Sequence, residues 1–267
     1  MTTSADWRVR YAVILAVGIA LVGIGALGAS NALIAKPSTT ASHGITYYLL
    51  PFVCLALLYG LIRPQGVFRN FARSTGPAVR HGWYLLVVAV ILSGLSLLGL
   101  PATQRTMPQA TTILIYLLIT ILTATFEELL CRGLIQNILV RGFHASNTSA
   151  WRAIVVSSLI FSLMHFANLT VRPEYVIGTI TQVIYTLCIG ILLGTIYYLS
   201  GDLLAVIVLH AGFNFFGSLI DLFHTPVAQT ATDMPVQAAI IQIVLLLPAV
   251  VIALRHYRRL APSTAQD

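Results

Sequence analysis

The stretch TTILIYLLITILTATFEELLCR, Thr111 to Arg132, decides the fold. Its first sixteen residues carry no charge, and the run then ends in two adjacent glutamates and an arginine. A membrane-spanning helix needs ~20 mostly apolar residues, because ~30 Å of hydrocarbon is crossed at ~1.5 Å per residue. Outward from this segment the same apolar texture recurs along the chain. It predicts eight spans, at about 11–35, 45–62, 83–100, 111–131, 152–171, 175–199, 203–223 and 236–254. The 267 residues are 58% hydrophobic and only 9% charged, whereas soluble domains hold ~25% charged residues. An ordinary soluble domain is excluded, and the expectation is an all-α polytopic membrane protein forming one domain over 1–267.

Charge placement predicts the orientation. The chain has 15 Lys and Arg against 8 Asp and Glu. In a soluble protein such an excess would raise the question of nucleic acid; here it reports topology, and no nucleic-acid partner is expected. With eight spans and a cytoplasmic N-terminus, eleven arginines, among them Arg63, Arg69, Arg73, Arg141 and Arg258, fall inside. Lys36, Arg105 and Arg172 fall outside, and Arg132 sits at the inner end of the fourth span. Both termini are therefore expected in the cytoplasm of a bacterial-type plasma membrane. The first span, 25 residues long, exceeds the ~7–15 apolar residues of a signal peptide and reads as retained. Tyr47-Tyr48, Trp83-Tyr84, Trp151 and Tyr197-Tyr198 sit where interfacial anchors belong. Cys54, Cys131 and Cys188 are widely spaced in apolar runs and read as buried thiols.

Two acids deep in an apolar run require a reason, since a charge at mid-span costs about 2.5–3.5 kcal/mol on insertion scales. Glu128 and Arg132 stand four apart on one helix face and can pair. Glu127 is rotated ~100° away and stays available. Two histidines also lie within spans, His165 in Phe161-Ser-Leu-Met-His165 and His210 in His210-Ala-Gly-Phe-Asn214. Asn214 shares the His210 face, and Gly212 leaves room for close approach. The bland reading makes all of these ion pairs and hydrogen bonds that stabilise a bundle. The chemical reading gathers a carboxylate, two imidazoles and a carboxamide from three spans. Glutamate can take a proton from water, histidine can relay protons near neutral pH, and a His/Asn pair can donate to a developing oxyanion. These parts suit hydrolysis of an amide bond.

At these residues the sequence resembles the CPBP family of intramembrane proteases, which includes type II CAAX prenyl proteases, bacteriocin-processing and immunity proteins, and Abi proteins. Glu127-Glu128-Leu-Leu-Cys-Arg132 meets the family's EExxxR motif, Phe161 to His165 its FxxxH motif, and His210 to Asn214 its third. The resemblance covers roughly 111–223, taken as the catalytic core. It implies that Glu127 activates the hydrolytic water and that His165 positions it. It further implies that His210 and Asn214 stabilise the tetrahedral intermediate while Glu128 and Arg132 orient the site. The family is also called metalloprotease. Zinc held by Glu127, His165 and His210 is possible, yet a metal-free mechanism needs the same residues.

The partners implied are the lipid bilayer and a membrane-associated peptide or lipidated protein, approached from the cytoplasmic leaflet. One rival is a proton-coupled transporter, since buried Glu/His chains also serve proton relays. It predicts a polar path to both faces. A second rival is a non-catalytic immunity or scaffolding protein. HExxH, rhomboid GxSG and presenilin-type GxGD motifs are absent. Counted at ~1.5 Å per residue, Glu127 and His210 lie roughly 6 and 10 Å from the inner edge of the hydrocarbon, and His165 roughly 20 Å, an uncomfortable disparity.

Overall fold

The computed structural model describes residues 4–33, 46–144, 149–223 and 233–261. Lys36 lies outside the described residues. Those described form helices and turns with no strand, and eight apolar helices follow in chain order. We label them α1 Ser4–Leu33, α2 Leu49–Ile62, α3 Thr75–Gly99, α4 Ala110–His144, α5 Ala150–Val171, α6 Val176–Ser200, α7 Leu203–Gly217 and α8 Val236–Leu260. Six are long and apolar enough to cross a membrane, while α2 and α7 are shorter. The all-α polytopic expectation holds, with two of its eight spans realised as short helices.

The largest difference from the sequence reading is in α4. The span was expected to end at residue 131 with Arg132 at the inner interface. Instead the helix continues to His144, and Arg132 is 1% exposed in its interior. Leu129–Gln136 winds as a π-helix. Such a segment frees carbonyls from the regular ladder, and side chains take them up here. Tyr59 donates its hydroxyl to the Leu129 carbonyl at 2.8 Å, and Asn137 donates Nδ2 to the Arg132 and Gly133 carbonyls at 3.2 and 3.1 Å. The longer helix also removes the disparity in depth. Glu127 stands 17 residues before His144 and His165 stands 15 residues after Ala150, distances of ~25 and ~22 Å from one end of the bundle.

Two apolar clusters fill the bundle. One gathers Leu85, Val88, Ile189, Leu192, Leu193 and Leu209 from α3, α6 and α7, with α8 closing it through Leu246 and Ala249. The other gathers Phe126, Leu130, Leu134 and Phe161 from α4 and α5 against α1 and α2. Lipid tails are as apolar as leucine, so close packing and interhelical hydrogen bonds must hold such helices together. Gly190-Ile-Leu-Leu-Gly194 on α6 supplies the close approach. A Cβ on Gly194 would come 2.8 Å from Gln136 Oε1 and 3.1 Å from Ile154 Cγ2. Across this seam Arg132 donates to the Gly190 carbonyl at 3.2 Å and Gln136 to the Gly194 carbonyl at 2.8 Å. Pro248 interrupts α8 after Leu246 because it lacks the N–H that the ladder needs.

The aromatic pairs expected at the interfaces divide. Trp83 is 58% exposed, whereas Tyr48 and Tyr197 are buried, bonded to Thr123 Oγ1 at 2.7 Å and to Asn137 Nδ2 at 3.0 Å. Cys131 and Cys188 are buried free thiols, and Cys54 is half-buried.

A single carboxylate fixes the start of α7. Asp202 is fully buried between α6 and α7. It accepts from the backbone N–H of Ala72, Ser74 and Ala205 at 3.2, 3.0 and 3.2 Å and from the Thr75 hydroxyl at 2.9 Å. Burial pushes this carboxyl up, but the hydrogen bonds from Ser74, Thr75, Ala205 and Ala72 outweigh it and hold the group below its ordinary value. Asp202 thus caps α7 and ties it to the residues that open α3.

Candidate active site

The three segments expected to converge do so where the two apolar clusters meet. Glu127 and Glu128 sit at the entrance to the π segment of α4, His165 at the end of the regular part of α5, and His210 and Asn214 on α7. Glu127, His165, His210 and Asn214 line one chamber of about 290 Å³.

The two glutamates have different surroundings. Glu128 is fully buried, with Oε1 accepting from Arg132 Nη1 at 2.7 Å. The same oxygen lies 2.7 Å from His210 Nδ1. In the Nδ1–H tautomer the ring donates this bond to Glu128. The other ring nitrogen, Nε2, faces Glu127 Oε2 at 3.3 Å. The result is a chain Arg132, Glu128, His210, Glu127, in which only the last side chain, one-fifth exposed, opens appreciably to the chamber. Burial of the first three strengthens each interaction, since little water screens them.

Phe161 is the hub on the other side. Its ring centroid lies 4.9 Å from the Arg132 guanidinium carbon, 5.1 Å from the His165 ring and 5.9 Å from the His210 ring. Both imidazole contacts are edge-on, and the guanidinium sits at cation–π distance. This gives the first residue of FxxxH a physical task, to hold three members of the site at fixed spacing. His165 is placed where α5 tightens into a 3₁₀ turn, His165–Ala167, before the short Asn168–Val171 helix. Gly212 meets the sequence reading as well, because a Cβ there would lie 2.7 Å from Leu86 Cδ2 of α3.

Two expectations change. His210 was expected to donate to an oxyanion, yet both of its ring nitrogens face carboxylates. The three zinc ligands also fail to assemble. Among the described residues no three His, Cys, Asp or Glu side chains are grouped at metal-binding spacing. His210 is engaged by the two glutamates, and the ring contact of His165 is to Phe161. The donor set therefore does not fit a three-ligand zinc centre.

Several chamber residues escaped the sequence reading. Tyr116, Thr120, Thr123, Gln182, Tyr185, Ser218 and Asp221 line it too. Thr120 and Thr123 look like ordinary span residues because their hydroxyls bond back to helix carbonyls of Leu117 and Ile119, both at 2.8 Å. A detectable signal did exist for the supporting frame, the Gly190-x-x-x-Gly194 spacing that lets α6 approach α4.

The chamber joins a vestibule of about 1150 Å³, with Glu127, His165, Gln182 and Tyr185 common to both. The vestibule is lined by Asn31 at the end of α1, by Arg172 and Tyr175 between α5 and α6, and by Met234 and Pro235 before α8. These residues mark the end of the bundle opposite Arg8, Arg141 and Arg258. The vestibule therefore opens at the end of the bundle away from these three arginines.

Residues 109–216, which include every motif residue, match the family model Rce1-like, described as type II CAAX prenyl endopeptidase Rce1-like. No curated protein matches the chain.

Proposed function

We propose that the chain is an endopeptidase hydrolysing a peptide bond of a membrane-associated peptide or lipidated protein, a reading supported by the match of residues 109–216 to the Rce1-like type II CAAX prenyl endopeptidase model. The observation that carries this reading is the chain of contacts from Glu128 through His210 to Glu127 at the wall of a chamber that also holds His165 and Asn214. Glu127 takes a proton from water as the oxygen attacks the carbonyl carbon. The Asn214 carboxamide and the His165 ring donate to the oxygen as it becomes negative. The carbon–nitrogen bond then breaks, and the proton held by Glu127 and shared with His210 Nε2 passes to the departing amine. Glu128 and Arg132 keep His210 oriented, as the buried carboxylate of a catalytic triad does.

Each of these steps uses the chain's own side chains and none requires a metal. The basic arginines place the termini in the cytoplasm by the positive-inside rule, so substrate enters from the opposite face or its leaflet. The transporter reading needs a polar path through both ends. Toward the basic end, however, Arg132, Gln136 and Tyr197 are buried and bonded to their neighbours, and they line neither cavity.

The test is purified protein in liposomes offered a membrane-anchored peptide reporter. Cleavage that falls by about 10²–10⁴-fold in Glu127→Gln supports the reading. Cleavage unchanged by that substitution ends it, and ion flux without cleavage favours the transporter.

A further inference from the structure

We infer that Gln182 is a substrate-positioning residue, its carboxamide donating a hydrogen bond to a neutral peptide carbonyl close to the scissile bond; this rests on the protease reading above. Gln182, on α6, borders both the chamber and the vestibule, as Glu127 and His165 do. It stands where a peptide must pass to reach the glutamate.

The orientation of its amide is set from the site itself. Asn168 follows the 3₁₀ turn that begins with His165, and its Nδ2 donates to Gln182 Oε1 at 2.9 Å. A carboxamide whose oxygen is already engaged has mainly its two N–H donors left to offer. Among the described residues no acceptor takes up the Gln182 Nε2. The turn that positions His165 thus also turns a donor group toward the cavity.

The chemistry of the ligand follows from what surrounds that donor. An extended peptide presents a carbonyl on every residue, each of which needs a donor once it leaves bulk water. Glu127 and Asp221 border the same space, so a substrate carboxylate would be repelled there, whereas an internal carbonyl would not. The vestibule continues this character with the amides of Asn31, Gln237 and Gln242.

The experiment compares wild type, Gln182→Met and Asn168→Ala in the full chain reconstituted in liposomes, on a reporter series in which successive carbonyls are replaced by methylene. Gln182→Met keeps the length of the side chain and deletes its donors. We expect kcat/KM to fall about tenfold, the loss of roughly one hydrogen bond, with the melting temperature unchanged. One reporter in the series should be cleaved equally by wild type and variant, because its carbonyl is already missing. Asn168→Ala releases the amide and should raise KM several-fold with kcat little changed; it decides the matter if Gln182→Met does not accumulate. Equal cleavage of every reporter by wild type and variants, or a loss identical across the whole series, overturns the inference. A wild type inert on the unmodified reporter fails earlier, at the protease reading itself.

Discussion

Glu127 and Glu128 share a peptide bond, yet one faces a chamber and the other is locked between Arg132 and His210. Helix rotation of ~100° between neighbours makes the division possible, and the burial of Arg132 makes it necessary. Removing one partner of a buried ion pair leaves the other charge uncompensated, at about 3–5 kcal/mol. Arg132→Met should therefore lower stability by that order and reduce accumulation, whereas Glu127→Gln should leave the unfolding free energy within about 1 kcal/mol of wild type while abolishing cleavage. Equal destabilisation by both substitutions would contradict the division of roles. Glu127, Glu128, Arg132, His165, His210 and Asn214 were legible in the sequence because charged, imidazole and carboxamide groups inside apolar spans stand out against their background. The roles of Phe161 and His210 were not legible. A phenylalanine in a membrane span is unremarkable by type, and the partner of each imidazole nitrogen depends on which helix happens to face it.

At the scale of the helix, α7 is too short to span a bilayer unaided and takes its position from Asp202. The folded carboxyl lies below its unfolded value, so its contribution to stability is present above about pH 3.8 and is lost as pH falls through the lower folded value. Asp202→Asn, which removes the charge, should cost about 1–3 kcal/mol at neutral pH and flatten that acid limb. Unfolding followed by tryptophan fluorescence across pH would show it; an acid limb identical to wild type would refute it. Gly194 is the corresponding test for α6. Gly194→Val should force α6 away from Gln136 and Ile154, cost about 1–3 kcal/mol and lower activity, since Arg132 bonds to the same helix. The existence of these helices was readable from apolar run length. Their ends were not, because the π segment of α4 and the buried start of α7 are sustained by hydrogen bonds from Asn137, Tyr59, Ala72 and Ser74, contacts that apolar run length does not register.

Across the whole molecule, the vestibule lies at the end opposite Arg8, Arg141 and Arg258, although Arg172 lines it. A cysteine placed at Thr170, on the vestibule wall, should react with a membrane-impermeant maleimide added outside intact cells, whereas one at Gln65, beside Arg141, should react only after lysis. The reverse pattern would invert the topology and place the vestibule in the cytoplasm. Because the donor set does not assemble three metal ligands, treatment with a strong zinc chelator should leave cleavage of the reporter unchanged within a factor of about two. Abolition by chelator and restoration by zinc would show that the ligands rearrange around an ion.

Apolar run length, the distribution of arginines and the spacing of a few polar residues determined by themselves that this chain is a helical membrane protein with a hydrolytic parts list. Those properties depend on local composition and on the fixed geometry of a single helix. The three-dimensional packing alone decided which carboxylates the two nitrogens of His210 meet, which end of the bundle the cavity opens to, and that Gln182 stands at its neck. Each of these depends on side chains from different helices meeting at 3 Å or so, a relation that no one-dimensional period encodes.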